Sequence, residues 1–422
     1  MRVLITTTGS SGDINPFVAV GIALRQRGHD VLIVANPHAE PKVRDAGLSF
    51  RSFGRDMGIS VIASNPGMMD ARRGPSTVWR EFVLPDVPSM LETAGAAIDS
   101  FNPHVALSHH IFFGTQWLCA ARGIPCAQVA LSPLVWLSRY DSSVLQHWEP
   151  DRIPAWYASA RRAVARVVMR WAMDGSINRI RKRFGMGPVR DAFVRSTASG
   201  DSVLGLWSKH FRAPQPDDPP GAHTCGFCWF DRQRDQEAGA DELSAFLDHG
   251  DPPVVFCLGS TAVHVAEDFY QHAAEACRLL KRRGLLLTGK PHNEHLSLSP
   301  GVRAMEYAPL SIAAARGCVT VHHGGAGTTA HALRAGRPTV IVPFAHDQFD
   351  NAARVKRLGV SDTLTRSSVS AVALAQTIRP MIENGDFAAR AVALGVALSQ
   401  EDGAQVAADR LETLAQVGAR QS

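Results

Sequence analysis

The sequence predicts an α/β protein built from two doubly wound, Rossmann-like halves that face a common cleft. Three observations predict it. From Val3 to Phe53, apolar β-type runs alternate with helical stretches. The segment Ala213 to Gly221 (A-P-Q-P-D-D-P-P-G) interrupts that rhythm, because its prolines hold no regular element. The rhythm then restarts at Pro253 and reaches a glycine-rich strand-to-helix turn at Gly324, Gly325 and Gly327. A β-α-β-α-β order means parallel strands joined by right-handed crossovers. At 422 residues the chain also exceeds one ordinary core.

In chain order, Val3–Thr7 reads as a buried strand, Gly9–Gly12 as a turn and Pro16–Arg27 as a helix ending at Gly28. Strands follow at Asp30–Ala35 and Ser49–Phe53, with a short helix at Lys42–Gly47 between them. Met57–Asp86 has few clear periods and is expected to be a mobile loop region over the cleft. Val105–Ser108 and Cys126–Ala130 continue the sheet around the helix Thr115–Arg122. Ile153–Arg183 reads as one long helix with Arg162, Arg166 and Arg170 on one side. Trp156, Val164, Val167, Val168 and Trp171 lie on another. Two readings stand for it, a core-packed helix with a solvated face and a peripheral contact with an anionic membrane.

Ser202–Leu206 is a strand. The second half holds strands at Pro253–Leu258, Leu285–Thr288, Val302–Glu306 and Val319–Val321, with a helix at Glu267–Arg283. Terminal helices are expected at Ser368–Asn384 and Ala404–Gln416. The domain assignment is 1–212 for acceptor binding, 213–222 for the linker and 223–403 for the donor. Residues 404–422 form a final helix able to return to the first domain.

Composition is that of an ordinary globular protein, with 45% hydrophobic and 20% charged residues. A net charge of +5 suits an anionic small ligand, and no nucleic-acid-binding signature accompanies it. The seven cysteines include one C-x-x-C, Cys225 and Cys228, with no second pair at zinc spacing. Reduced core thiols in a cytoplasmic protein are expected. The N-terminus lacks a signal h-region, and no apolar run reaches the roughly 18–20 residues of a membrane span.

The stretch Cys318–Gly359 carries the chemistry. Its glycines bring backbone N–H groups and a positive helix end against an anion, and His323 adds a donor there. After the next strand come Asp347 and Gln348, a carboxylate and an amide suited to vicinal sugar hydroxyls. Phosphate at one strand end and sugar at the next describe a nucleotide-sugar site.

H-H-G-G-A-G-T-T (322–329) followed by P-F-A-H-D-Q (343–348) resembles the donor signature of family 1 glycosyltransferases. G-S-S-G-D-I-N-P-F (9–17) is similar to the bacterial and sterol-modifying members. H-D-Q-F-D-N-A-A-R-V-K-R-L-G and Y-A-P-L look closest to the rhamnosyltransferase catalytic chain of rhamnolipid synthesis. The resemblance implies a GT-B fold, an inverting mechanism, no metal and no cofactor beyond the sugar nucleotide. It places the catalytic base at Asp13 and the diphosphate contacts at His323, Gly325, Gly327, Thr328, Ser260 and Thr261. It places the sugar contacts at Asp347 and Gln348, and the nucleobase at Tyr307–Ala308. His331 stands where many plant relatives bind the ribose with glutamate, which fits a dTDP-sugar.

Each residue also has a plain structural reading. Asp13 fits a helix N-cap, His323 a turn residue and Asp347 a surface turn. His109, His110, His322 and His346 read best as structural histidines. The acceptor is expected to be a lipophilic small molecule meeting apolar residues of the first half, with Phe112, Phe113 and Trp136 as candidates. Two other functions remain open. One is a sugar-nucleotide epimerase of the same fold. The other is a non-catalytic nucleotide-sugar-binding partner chain.

Overall fold

The computed structural model describes residues 1–150, 152–198, 200–231, 240–289 and 296–421. Two all-parallel sheets organise it. The first is ordered β3-β2-β1-β4-β5-β6-β7. Its strands are β1 (Arg2–Thr6), β2 (Asp30–Ala35), β3 (Ser49–Ser52), β4 (Val105–His109), β5 (Cys126–Ala130), β6 (Ser202–Gly205) and β7 (Ala222–Thr224). The second is ordered β10-β9-β8-β11-β12-β13. It holds β8 (Val254–Cys257), β9 (Gly284–Leu287), β10 (Val302–Met305), β11 (Val319–His322), β12 (Thr339–Ile341) and β13 (Ser361–Thr363). Helices cover both faces, which is why the central strands read as unbroken apolar runs.

Both orders reverse once, between β1 and β4 in the first sheet and between β8 and β11 in the second. In an open parallel sheet the crevice outside the strand carboxyl ends at such a reversal is the ligand site. The loops after β1, β4, β8 and β11 are therefore the ones that matter. They carry Gly9–Asp13, His110, Gly259–Ser260 and His323–Gly325.

Several elements differ from the sequence expectation. The first helix runs Ser11–Gln26 and carries Pro16 inside it. It starts early because the carboxylate of Asp13 accepts from Ser10, one turn back. Residues 57–86 are largely helical rather than a loop, with turns at Ile59–Ser64, Pro66–Met69, Gly74–Thr77 and Val78–Val83. Pro66, Pro75 and Pro85 each occupy the first turn of a helical element, where a missing N–H costs nothing. The first sheet extends to Thr224, because Ala222–Thr224 pairs with β6, so the second domain begins after it. A separate helix at Gly385–Ser399 starts where Asn384 accepts from the N–H of Asp386.

The last helix, Gly403–Gln421, packs on the first. Ala404, Ala407, Ala408 and Leu411 join the core of the first half. Arg27 meets Asp409 at 2.6 Å and Glu412 at 3.0 Å.

The helix Ala155–Arg183 is oriented opposite to a core-packed helix. Its arginines turn toward the protein. Arg162 pairs with Asp217, while Arg166 and Arg170 both pair with Asp191. Trp156, Val164, Val167, Val168 and Trp171 face outward, and only Ala158 and Ile177 on this helix are buried.

Candidate active site

The turn after β1 places Asp13 in the first turn of the first helix. Its Oδ2 accepts from the Ser10 amide at 2.8 Å and the Ser10 hydroxyl at 2.9 Å. Asp13 is therefore the third helical residue of a capping box, not the cap itself. One carboxylate oxygen is committed to the turn. Gly9 lies at φ 117°, and a Cβ there would stand 2.5 Å from that same Oδ2. Burial pushes the Asp13 carboxyl up to about 6, against the pull of the two Ser10 bonds. Asp347 adds repulsion and His346 opposes it, so both act on Asp13 across the cleft.

Behind this turn, Thr7 donates to the Asp13 carbonyl at 3.1 Å. His109 is buried, and burial holds its imidazole well below the ordinary range. His110 is likewise held down to about 4 by burial. Both are neutral packing groups.

The donor-side turn lies at the reversal of the second sheet. Gly324 takes φ 88°, and Gly325 caps the helix Ala326–Arg334. The imidazole of His323 lies between Gly259 and Gly325, so tightly that a Cβ on either glycine would overlap the ring. That is the physical reason for glycine at both places. Burial pushes His323 down to about 4, so at neutral pH it offers an N–H rather than a positive charge. Gly327 and Thr328 sit in the first turn of that helix, part-exposed, as are Ser260 and Thr261 in the short helix Gly259–Ala262. Tyr307 is half exposed beyond β10, while Ala308 is buried. His331 lies edge-on to Trp229, 5.8 Å between centroids.

After β12 the chain turns through His346, a non-glycine residue at φ 59°. Asp347 then stands at the N-cap position of the helix Gln348–Arg357, its side chain making no cap bond. Burial pushes the Asp347 carboxyl up to about 6, with Asn351 bonding to it and Asp350 repelling it, while Ser132 of the other half exerts a weaker opposing pull. The Gln348 Oε1 accepts from the amides of Phe344 at 2.8 Å and Ala345 at 3.2 Å. That oxygen is consumed by the loop, so the amide nitrogen is the group left to donate.

Asn351 was not legible as a site residue. Its Nδ2 donates to the Gly324 carbonyl at 2.8 Å and to Asp347 at 2.9 Å, tying the glycine turn to the Asp347 carboxylate. The i, i+4 spacing from Asp347 was the available signal. Ser132, from the other half, had none.

The two halves are held against each other here. His346 Nε2 meets the Met68 carbonyl at 2.9 Å. The buried Asp350 accepts from the Val144 amide at 3.0 Å and pairs with Arg354, which also reaches Asp141. Asp13 and Asp347 thus stand on opposite walls of one cleft.

The three apolar acceptor candidates do not line it. Phe113 and Phe112 are packed in the first-half core against Trp79 and Phe53, and Trp136 is packed edge-on against Trp207. Large aromatics in parallel-sheet proteins gain more from core burial than from a wet cleft. Among the described residues no group of three or more His, Cys, Asp or Glu side chains is placed to hold a metal ion.

Comparison with known proteins agrees with this architecture. Residues 3–123 match the glycosyltransferase family 28 N-terminal domain. Residues 285–414 match the erythromycin biosynthesis protein CIII-like C-terminal domain. The chain is 31% identical to O-mycaminosyltylonolide 6-deoxyallosyltransferase of Streptomyces fradiae, covering 99% of this chain and 98% of that protein. It is 29% identical to vancomycin aglycone glucosyltransferase of Amycolatopsis orientalis, covering 97% and 96%. The fold matches the glycosyltransferase of kitacinnamycin with a TM-score of 0.73 at 20% identity, covering 98% of each chain. It matches the glycosyltransferase VinC, in complex with dTDP, with a TM-score of 0.70 at 17% identity, covering 99% and 100%. With two sheet reversals facing one cleft and a relative at 31% identity over nearly its whole length, this chain belongs to that two-domain glycosyltransferase family and is a transferase enzyme.

Proposed function

We propose that the protein is an inverting, metal-independent glycosyltransferase. It moves a sugar from a nucleoside-diphosphate donor, dTDP ahead of UDP, to a hydroxyl of a lipophilic natural-product acceptor. The observation that carries this reading is the opposition of Asp13 and Asp347 across the cleft, with the His323–Gly325 turn beside Asp347.

The donor's diphosphate rests on the N-terminal turn of Ala326–Arg334, where free N–H groups and the helix dipole favour negative charge. His323, neutral and fixed between two glycines, donates to it without a desolvated cation. Asp347 and the Gln348 amide nitrogen orient the sugar hydroxyls. The acceptor hydroxyl then gives its proton to Asp13 as its oxygen attacks the anomeric carbon. The bond from that carbon to the diphosphate breaks, and the diphosphate leaves with the electron pair. With a pKa of about 6, Asp13 is roughly nine-tenths ionised at pH 7 yet far more basic than an exposed aspartate.

Support for dTDP comes from His331, which sits where a ribose-binding glutamate would otherwise stand, and from the dTDP bound in VinC. The H-D-Q-F-D-N motif adds a 6-deoxyhexose such as rhamnose as the sugar. The names of the relatives favour an aglycone over a hydroxy fatty acid as acceptor. Seven free thiols suit a reducing cytoplasm, and among the described residues no helix is long and apolar enough to cross a membrane.

A thermal-shift series with dTDP-, UDP- and GDP-sugars tests the donor assignment through ligand linkage. The dTDP-sugar should raise Tm most. A response to GDP-sugars alone would overturn the assignment. Donor incubated without acceptor should keep its sugar unchanged, which separates transfer from epimerisation.

A further inference from the structure

The outer face of Ala155–Arg183 has no role in the site described above. Trp171 is 85% exposed, Trp156 74%, Val164 62%, Val167 58% and Val168 55%. Ala160 and Ala163 are exposed between them. These positions form one continuous apolar stripe about 22 Å long, at the helical rise of 1.5 Å per residue. Leaving it in water is costly, and monomers rarely expose so large a patch.

The spacing of the stripe is self-complementary. Positions 156 and 171, 160 and 167, and 163 and 164 are each symmetric about one point between Ala163 and Val164, and Val168 alone falls opposite a polar residue, Ser159. Two such helices packed antiparallel about a two-fold axis at that point set each Trp156 against the other's Trp171. Each Ala160 then receives the other's Val167, small against larger, and the centre is Ala163 and Val164. An isologous interface requires this self-matching. A surface for an unrelated partner does not.

Charge agrees. On one flank the same symmetry sets Arg161 against Arg166 of the second copy. Arg161 is already paired with Glu149 at 2.8 Å and Arg166 with Asp191 at 2.9 Å. Arg162 and Arg170 are paired with Asp217 and Asp191 in the same way. The repulsion is cancelled within each chain. The same pairing argues against an anionic bilayer, whose attraction for an interfacial helix rests on unpaired basic side chains beside the apolar face. The stripe offers roughly 700 Å² of apolar surface, counting two Trp near their typical size and three Val. A stable interface needs about 800 Å² per partner, so the stripe with its rim is sufficient.

We propose that this stripe is a homodimer interface, in which two copies of the chain pair their 155–183 helices antiparallel. Sedimentation of the full chain at micromolar concentration should give a dimer. Val164→Glu, exposed and at the axis, should weaken dimerisation at least about 100-fold and abolish the concentration dependence of Tm, while donor-induced stabilisation stays unchanged. Ala160→Cys mixed with Val167→Cys should cross-link under mild oxidation, and neither variant should do so alone. A monomeric wild-type chain overturns the proposal, as does a dimer that Val164→Glu leaves intact. Flotation of a monomer with anionic vesicles, lost in Trp171→Glu, would assign the stripe to a membrane instead.

Discussion

The turn at Ser10–Asp13 and the turn at His346–Asn351 solve the same problem in different ways. Each holds a carboxylate at the carboxyl end of a sheet, and burial pushes each carboxyl up to about 6. Asp13 is held by its own turn, through two donors from Ser10 on one oxygen. Asp347 is held by a neighbour, through Asn351, which also grips the Gly324 carbonyl, with Ser132 of the other half a weaker polar influence. A base needs one free, aimed oxygen and nothing else. A sugar contact gains from being tied to the phosphate turn, because the two then hold the donor as one unit. Under the proposed roles this difference in wiring separates chemistry from binding, so substitutions on the two sides should fail differently.

The sharpest break is Asp13→Asn. The amide oxygen can still accept from Ser10, so the turn survives while the base is gone. Turnover should fall about 100- to 10,000-fold, the usual worth of a positioned base. Affinity for the nucleoside diphosphate, measured by titration, should stay within a few-fold of wild type. Near-normal kcat would remove Asp13 as the base.

On the donor side, Gly325→Ala should do the reverse. Its Cβ has no room beside the His323 ring, so either the ring or the turn must move. Donor affinity should drop roughly 10- to 100-fold, the scale of one or two lost charge-assisted hydrogen bonds. At saturating donor, kcat should change far less. An unaltered donor KM would mean that His323 does not meet the diphosphate.

Asn351→Ala tests the link itself. Losing it leaves the Gly324 carbonyl and Asp347 each short of a donor. If the bridge works as wired, the free nucleoside diphosphate and the whole sugar nucleotide should both weaken, by about 10-fold. Weakening of the sugar nucleotide alone would confine Asn351 to the sugar side.

Much of this is legible in the sequence, and the pattern of what is not is physical. The strand–glycine–helix turn at 322–328 needs its residue types locally, so the phosphate half of the site is written in consecutive residues. The two-sheet architecture was equally plain, because buried parallel strands are unbroken apolar runs. The long-range features were hidden. Ser132 reaches Asp347 from about two hundred residues upstream, and no local pattern marks it. Phe112, Phe113 and Trp136 looked like acceptor contacts because composition does not distinguish a core aromatic from a cleft aromatic. Which face of the 155–183 helix turns inward is hidden for a similar reason. Amphipathicity shows that two faces differ, and partners from elsewhere decide which one turns inward. Here Asp191 and Asp217 draw the arginines in.

The smallest expected effect separates the two turns by pH. Both carboxyls have folded pKa values near 6 against 3.8 when unfolded. The native state therefore binds protons more tightly than the unfolded chain between about pH 4 and 6. The contribution of these two groups to stability is highest below this window and declines as pH rises through it, since the slope follows unfolded minus native protons bound. Activity should run the other way over the same range, because the base must be ionised to act. Asp347→Asn removes one of the two part-buried charges. It should stabilise the protein at pH 7.5 by about 1 kcal/mol, with solvent screening at the part-exposed site discounting the full shift, and should leave it unchanged at pH 4. Without the Asp347 charge the acid limb of kcat/KM should also move down by a few tenths of a pH unit, since its repulsion helps keep the Asp13 carboxyl raised. Melting curves at the two pH values and a pH–rate profile measure both effects. If the acid limb stays put while stability rises, the two carboxylates titrate independently, and the cleft is wider in solution than their opposition implies.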